Sequence, residues 1–294
     1  MTRTRFFGEY EGGGSAGQAT LGIQALLRRL SGRGGILRQG TSIAVEATLD
    51  PNSATLRAPA AGILDLAAKR LLDVVVAGAL LVLLLPLLLL IMVAIKLDSP
   101  GPVFFRAERV GFRGSRLRML KFRKMRSDAT GPALTTVDDA RFTRVGRVLV
   151  FLKFDELPQL WNVFRGEMSL VGPRPEDAAF VAAQQDAYAE IIQVKPGITG
   201  LCQLAFVRES ELPAAGDRID YYVQQLLPQK AAIDRLYART RSVGLDVRIL
   251  FWTFGAVFLR KEVAVNRTTG ALTLRDVPRH QPELVDDCRR VHGR

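Results

Sequence analysis

Two adjacent carboxylates, Asp155-Glu156, stand directly before Leu157-Pro158. Proline is tolerated in a first helical turn, so the pair is expected at a helix N-terminus. There the helix dipole keeps carboxylates ionised and free backbone N–H groups can meet a phosphate. An exposed capping pair would use the same residues. The neighbourhood favours chemistry: apolar Phe151, Leu152 and Phe154 come before the acids, and Gly172-Pro173-Arg174-Pro175 follows them. The two prolines restrict the backbone on either side of Arg174, which suits a guanidinium held ready for phosphate oxygens. The only histidines, His280 and His292, lie in a polar C-terminal stretch, and Cys202 and Cys288 show no CxxC spacing. A histidine base, a zinc cluster and a disulfide scaffold are thus not on offer; carboxylates, basic groups or a metal ion must carry any chemistry.

The element that dominates the chain is the run 74–95, VVVAGALLVLLLPLLLLIMVAI, which is 22 residues long and free of charge. As a helix it would measure about 33 Å, enough to reach across a hydrocarbon core. A buried helix of a soluble protein would keep a polar face, which this run lacks. Pro86 at its middle removes a backbone hydrogen bond and favours a kink. Basic residues flank both ends: Lys69 and Arg70 before, then Lys96, Arg106, Arg109 and Arg113 after. If positive charge marks the cytoplasmic side, both ends belong on that side, and a bent re-entrant hairpin meets this condition where a straight span does not.

The net charge of +12, from 41 Lys and Arg against 29 Asp and Glu, attracts polyanions of any kind. Stacking motifs and recognition modules of a nucleic-acid binder are missing, and the cations cluster beside the apolar run, so no nucleic-acid partner is expected. Residues 102–126 are densely cationic and interleaved with apolar side chains, as a patch for lipid headgroups or a wall for phosphates would be.

Residues 1–60 read as a poorly ordered extension, 61–262 as the folded, membrane-embedded domain, and 263–294 as a flexible tail. Within the domain, 143–154 and 176–194 have helical patterns, VKPGITGLCQL reads as turn-rich strand, and 217–238 is helical again. The stretch 242–259 is an amphipathic helix with Trp252, Phe254 and Phe258, suited equally to a membrane interface or to core packing.

The order of a basic-flanked apolar hairpin with a central proline, then KFRKM, DELPQLWNV, GEMSLVGPRPE and KPGITG, resembles the monotopic phosphoglycosyl transferases over about Lys69 to Leu259. These are bacterial polyprenyl-phosphate sugar-phosphate transferases. The resemblance implies an α/β, mostly helical fold with a re-entrant helix–break–helix around Pro86, interfacial amphipathic helices and a small cytoplasmic catalytic part. It implies transfer of a sugar 1-phosphate from a UDP-sugar to polyprenyl phosphate at the bacterial inner membrane, with Mg²⁺ and a phosphosugar carried on Asp155. Glu156 is the second member of that dyad and, with Asp155, the candidate metal ligand; Lys121 and Arg174 match phosphate-binding residues. The lipid bilayer is an implied partner, a homodimer is left open, and a catalytically inactive scaffold is the alternative. The chain departs from the family pattern in three places. Leu85, not Ser, precedes Pro86. Val150 stands where an Arg is usual, with Lys153 the nearest cation. After KPGITG the sequence runs LCQLAFVR, so the family's basic residue there would map onto Arg208, displaced by one position.

Overall fold

The computed structural model describes residues 63–130, 139–206, 221–258, 263–266 and 269–274. The expected N-terminal extension and Arg208 lie outside them. Helix α1 (Ile63–Leu83) and helix α2 (Leu85–Asp98) come first. They are bent by 61° at Leu84. Pro86 lies in the first turn of α2 and has no N–H to donate to the carbonyl of Val82, so the ladder is interrupted there. It resumes as the Leu88 N–H donates to the Leu84 carbonyl at 2.8 Å. The helical segment thus begins well before residue 74, at Ile63, and ends just past residue 95, at Asp98. No single described helix is long and apolar enough to cross a membrane, whereas the bent pair together is.

Both ends of this pair are fastened to one polar body. On α1, Lys69 donates to Asp246 at 2.5 Å and to the Val171 carbonyl at 3.0 Å. The next residue, Arg70, donates to the carbonyls of Val163 and Phe164, capping a helix C-terminus. One turn on, buried Asp73 accepts from the Ser169 hydroxyl and the Leu170 N–H. At the far end, buried Arg123 donates to the carbonyls of Ser99 and Pro100 at 2.7 and 2.6 Å. Asp98 accepts the Val145 N–H at 3.0 Å.

The polar body is an α/β arrangement, mostly helical, with three two-stranded sheets among the described residues. Strands β1 (Phe104–Val110) and β2 (Arg116–Phe122) form an antiparallel hairpin. Helices α3 (Arg144–Leu152) and α4 (Gln159–Arg165) follow, and α4 packs along α1. Strand β3 (Ser169–Val171) pairs in parallel with β4 (Gly197–Thr199), the short helices α5 (Ala178–Ala183) and α6 (Gln185–Ile191) lying between them. The continuous helix expected over 176–194 is thus broken at Gln184, whose backbone leaves the helical region (φ −135°, ψ 46°). After β4, where the sequence read as extended, the chain turns helical at once in α7 (Leu201–Ala205). Leu201, Cys202 and Leu204 are buried there, an apolar face that alternation alone did not separate from a strand.

Helix α8 (Leu227–Thr240) is entered through a wide turn at Tyr222–Leu226, and α9 (Val243–Phe258) follows. The two readings of the last helix meet in different faces: Asp246, Ile249 and Ala256 are buried, while Val247, Phe251 and Phe254 are exposed. Strands β5 (Val263–Val265) and β6 (Leu272–Leu274) form a hairpin. Its Val263 and Leu272 join the main core with Val171, Leu201 and Tyr237. The folded domain thus continues past residue 262, because two apolar side chains in this otherwise polar stretch find buried places; the rest of the expected tail lies outside the described residues.

Candidate active site

Asp155 and Glu156 lie on a single 3-10 turn, Phe154–Glu156, that leads into α4. The helix N-terminus expected for the pair is thus a tighter 3-10 turn immediately ahead of α4, not a turn of the α-helix itself. The reason is Pro158: lacking an N–H, it cannot continue the ladder, and the Phe154 carbonyl is taken instead by the Leu157 N–H at 3.2 Å. Lys153, with φ 59°, ends α3 in the left-handed region and turns the chain so that Asp155 points inward, 4% exposed.

Each carboxylate meets a lysine. Lys121, from β2, donates to Glu156 at 2.8 Å. Lys124, just past the strand, lies 3.5 Å from Asp155. Lys124 is held on two sides: its ammonium sits 5.7 Å over the Phe142 ring, and its carbonyl accepts the Thr143 N–H at 3.0 Å. Gly146 of α3 presses on the same backbone, and a Cβ there would fall 1.9 Å from the Lys124 carbonyl oxygen. Burial alone would raise the Glu156 carboxyl, but Lys121 and Arg174, with help from Lys153, outweigh it and hold the group well below its ordinary value. Lys124 is lowered, chiefly by burial, with Lys121 adding and the two carboxylates opposing. The sequence reading missed Lys124, although KFRKM contains it. Regular alternation places Lys121 and Arg123 on one face, and only the end of β2 at Phe122 lets Lys124 turn to the acids.

Arg174 extends from the end of β3. Pro173 and Pro175 are buried beside it, and the Gly197 N–H donates to the Pro173 carbonyl at 2.9 Å. A Cβ on Gly197 would fall 2.0 Å from the Gly172 nitrogen, so this close crossing requires glycine. The Arg174 N–H donates to Asp234 at 3.3 Å. Behind it Tyr222 donates to Glu176 at 3.0 Å and receives from buried Lys230 at 2.9 Å. This gives Tyr222 a place in the support of the Arg174 loop.

Burial, reinforced by Glu176, pushes the Asp234 carboxyl up from its ordinary 3.8 to about 8, against the Arg174 N–H, Lys230 and Arg174. A carboxyl raised on folding binds its proton more tightly in the folded state, so it favours folding less as pH rises from about 4 to about 8. Asp234→Asn keeps an oxygen for the Arg174 N–H and removes this loss. Thermal unfolding from pH 5 to pH 8 is expected to lower the Tm of wild type more than that of the variant, by at least about 2–4 °C. Parallel Tm curves would show that Asp234 is ionised throughout.

The residues matched by the bacterial sugar transferase family are 64–260, which hold every site residue described above. The chain belongs to this family. A relative from Caulobacter vibrioides, named UDP-glucose:undecaprenyl-phosphate glucose-1-phosphate transferase, is 43% identical over 63% of this chain and 67% of its own length. The exopolysaccharide production protein PSS of Rhizobium leguminosarum bv. phaseoli is 37% identical over 65% of this chain and 94% of its own. An N-acetylgalactosaminephosphotransferase of Aeromonas hydrophila is 37% identical over 64% of this chain but only 43% of its own length. The match to other relatives is partial in the same way, down to 35% of the Komagataeibacter xylinus protein.

Proposed function

We propose that this bacterial sugar transferase moves a sugar 1-phosphate from a UDP-sugar to polyprenyl phosphate, releasing UMP, by way of a phosphosugar on Asp155. The observation that supports this best is the buried Asp155 beside Glu156, with Lys124 and Lys121 at 3.5 and 2.8 Å. An Asp155 oxygen attacks the phosphorus that bears the sugar, and the bond from that phosphorus to the bridging oxygen breaks, leaving UMP with the electron pair. An oxygen of polyprenyl phosphate then attacks the same phosphorus and frees the Asp155 carboxylate. Two anions approach in each step, so the cations carry the catalysis: Lys121, Lys124 and Arg174 offset the repulsion and meet the charge that gathers on the phosphoryl oxygens. Glu156, kept ionised, holds Lys121 in place.

Asp155 and Glu156 fit a magnesium ion in the way that ion prefers, one or two carboxylate oxygens with the remainder from substrate phosphates and water. No cluster of three or more metal-binding side chains exists among the described residues, so a self-sufficient protein cage is not part of this reading. Bound with the diphosphate, magnesium would supply further charge neutralisation on the phosphate oxygens. The test of the reaction is UMP release by the detergent-solubilised protein, given polyprenyl phosphate and a panel of UDP-sugars beginning with UDP-glucose. Release is expected to require both substrates for turnover. A folded protein that releases UMP from none of the panel would leave only the scaffold reading.

The same reading places α1 and α2 in the cytoplasmic face of the bacterial inner membrane as a re-entrant pair. It is supported by the clamps that tie both ends to one body, and by exposed Val82, Leu83, Leu90 and Val93 around the bend. Phe151, Trp161, Phe251 and Phe254 add exposed apolar surface suited to the interface. Cysteines at the exposed positions Asp65 and Arg106 are expected to react with a membrane-impermeant maleimide only when the cytoplasmic side is open. Labelling of one from each side would replace re-entry with a span.

A further inference from the structure

Away from Asp155, at the opposite ends of β2 and α4, lies a half-open cleft of about 430 Å³ whose lining includes Phe112, Arg116, Arg118, Gly166, Glu167 and Lys195. Its charges are not balanced. Glu167 is engaged elsewhere, accepting from Asn162 at 2.6 Å and pairing with Arg165 at 3.1 Å. Arg116 pairs with Glu108. The side chains of Arg118 and Lys195 make no hydrogen bond or ion pair among the described residues. Lys195 is half-buried, and its ammonium is held below its ordinary value by burial first and then by neighbouring Arg70, with Lys69 adding and Asp73 opposing. A partly desolvated ammonium beside two further cations is unfavourable unless an anion meets it.

We propose that this cleft is a second anion site, separate from the catalytic one, that binds a phosphate group through Lys195 and Arg118. The pairing of a planar guanidinium fork with a compact ammonium suits the several oxygens of a phosphate. The volume lies in the range of small-molecule sites and leaves room for more than the phosphate itself, with Phe112 as an apolar wall. The cleft is also joined to the catalytic strand. Asn162 donates to the Arg118 carbonyl at 3.0 Å and to Glu167, and accepts the Leu120 N–H at 2.9 Å, one residue from Lys121. An occupant that fixes Arg118 thereby steadies the backbone that carries Lys121. The inference needs no particular transfer reaction and stands apart from the function proposed above.

The experiment is competitive amine labelling of the full chain in detergent, with acylation of Lys195 followed by peptide mass spectrometry. Inorganic phosphate is expected to slow labelling of Lys195 several-fold relative to sodium chloride of equal ionic strength. Arg118→Ala, at an exposed position, should abolish most of that protection, and Arg174→Ala should leave it intact. Two further arms, vesicles of phosphatidylglycerol and of phosphatidylcholine, identify the source: protection by the anionic vesicles but not by free phosphate assigns the site to a lipid headgroup. The proposal is overturned by equal labelling with phosphate, chloride and both vesicles. It is overturned equally by protection that survives Arg118→Ala, or by protection that Arg174→Ala removes, since the anion would then sit at the catalytic cations.

Discussion

Asp155→Asn is expected to lower turnover by at least about 10²–10⁴-fold, the range for losing a positioned catalytic group. The substitution keeps the size of a residue that is 4% exposed, so the surrounding packing of the turn between α3 and α4 is preserved. What it removes is the anion that attacks phosphorus and the partner of Lys124 at 3.5 Å. The decisive readout is not the rate alone. Radiolabelled UDP-sugar without lipid acceptor should leave label on the wild-type protein and none on Asp155→Asn, whereas Glu156→Gln, which spares the attacking oxygen, should still accept label at a reduced rate. Label on Asp155→Asn would move the nucleophile to Glu156. No label on any form, with turnover intact, would replace the two-step route by direct attack of the lipid phosphate.

Part of this arrangement is legible in the sequence. Pro86 within an unbroken apolar run announces a broken helix, since no other residue there interrupts the backbone ladder, and the structure bends beside it at Leu84. The adjacency of Asp155 and Glu156 and the prolines around Arg174 mark groups with restricted backbones. The parts that stayed hidden depend on contacts distant in sequence. Lys69 and Arg70 read as membrane-flanking charge, yet their partners are Asp246, 177 residues away, and the carbonyls of Val163 and Phe164 at the end of α4. Arg123 reads as one more cation in a basic stretch, but it is buried and holds the chain after α2. Lys124 reaches Asp155 because Gly146 lets α3 lie against its backbone, an approach that only the folded chain reveals. A charge count treats these four cations and Arg118, whose side chain has no partner among the described residues, alike; burial and partners separate clamp, latch and catalytic group.

Arg174→Lys is expected to reduce kcat/KM by an order of magnitude or more, although the charge is unchanged. The loop is built to present a fixed group: Pro173 and Pro175 restrict the backbone, Gly197 pins the Pro173 carbonyl, and Asp234 accepts the Arg174 N–H. A guanidinium carried there offers two parallel N–H donors to two phosphate oxygens, while a lysine offers one mobile ammonium and loses the forked geometry. Because the positive charge remains, Glu156 should stay ionised and Lys121 should stay on it, so the loss reports phosphate geometry rather than collapse of the dyad. Lys121→Arg provides the contrast. It keeps a donor toward Glu156 but forces a larger group into a place where Lys121 is only 13% exposed, so both activity and Tm should fall together. For Arg174→Lys the Tm should hold while kcat/KM drops, with the deficit persisting at saturating magnesium, since the metal cannot restore the fork. If kcat/KM of Arg174→Lys equals that of wild type, the two prolines serve only the turn, and the grip on the diphosphate rests with Lys121 and Lys124.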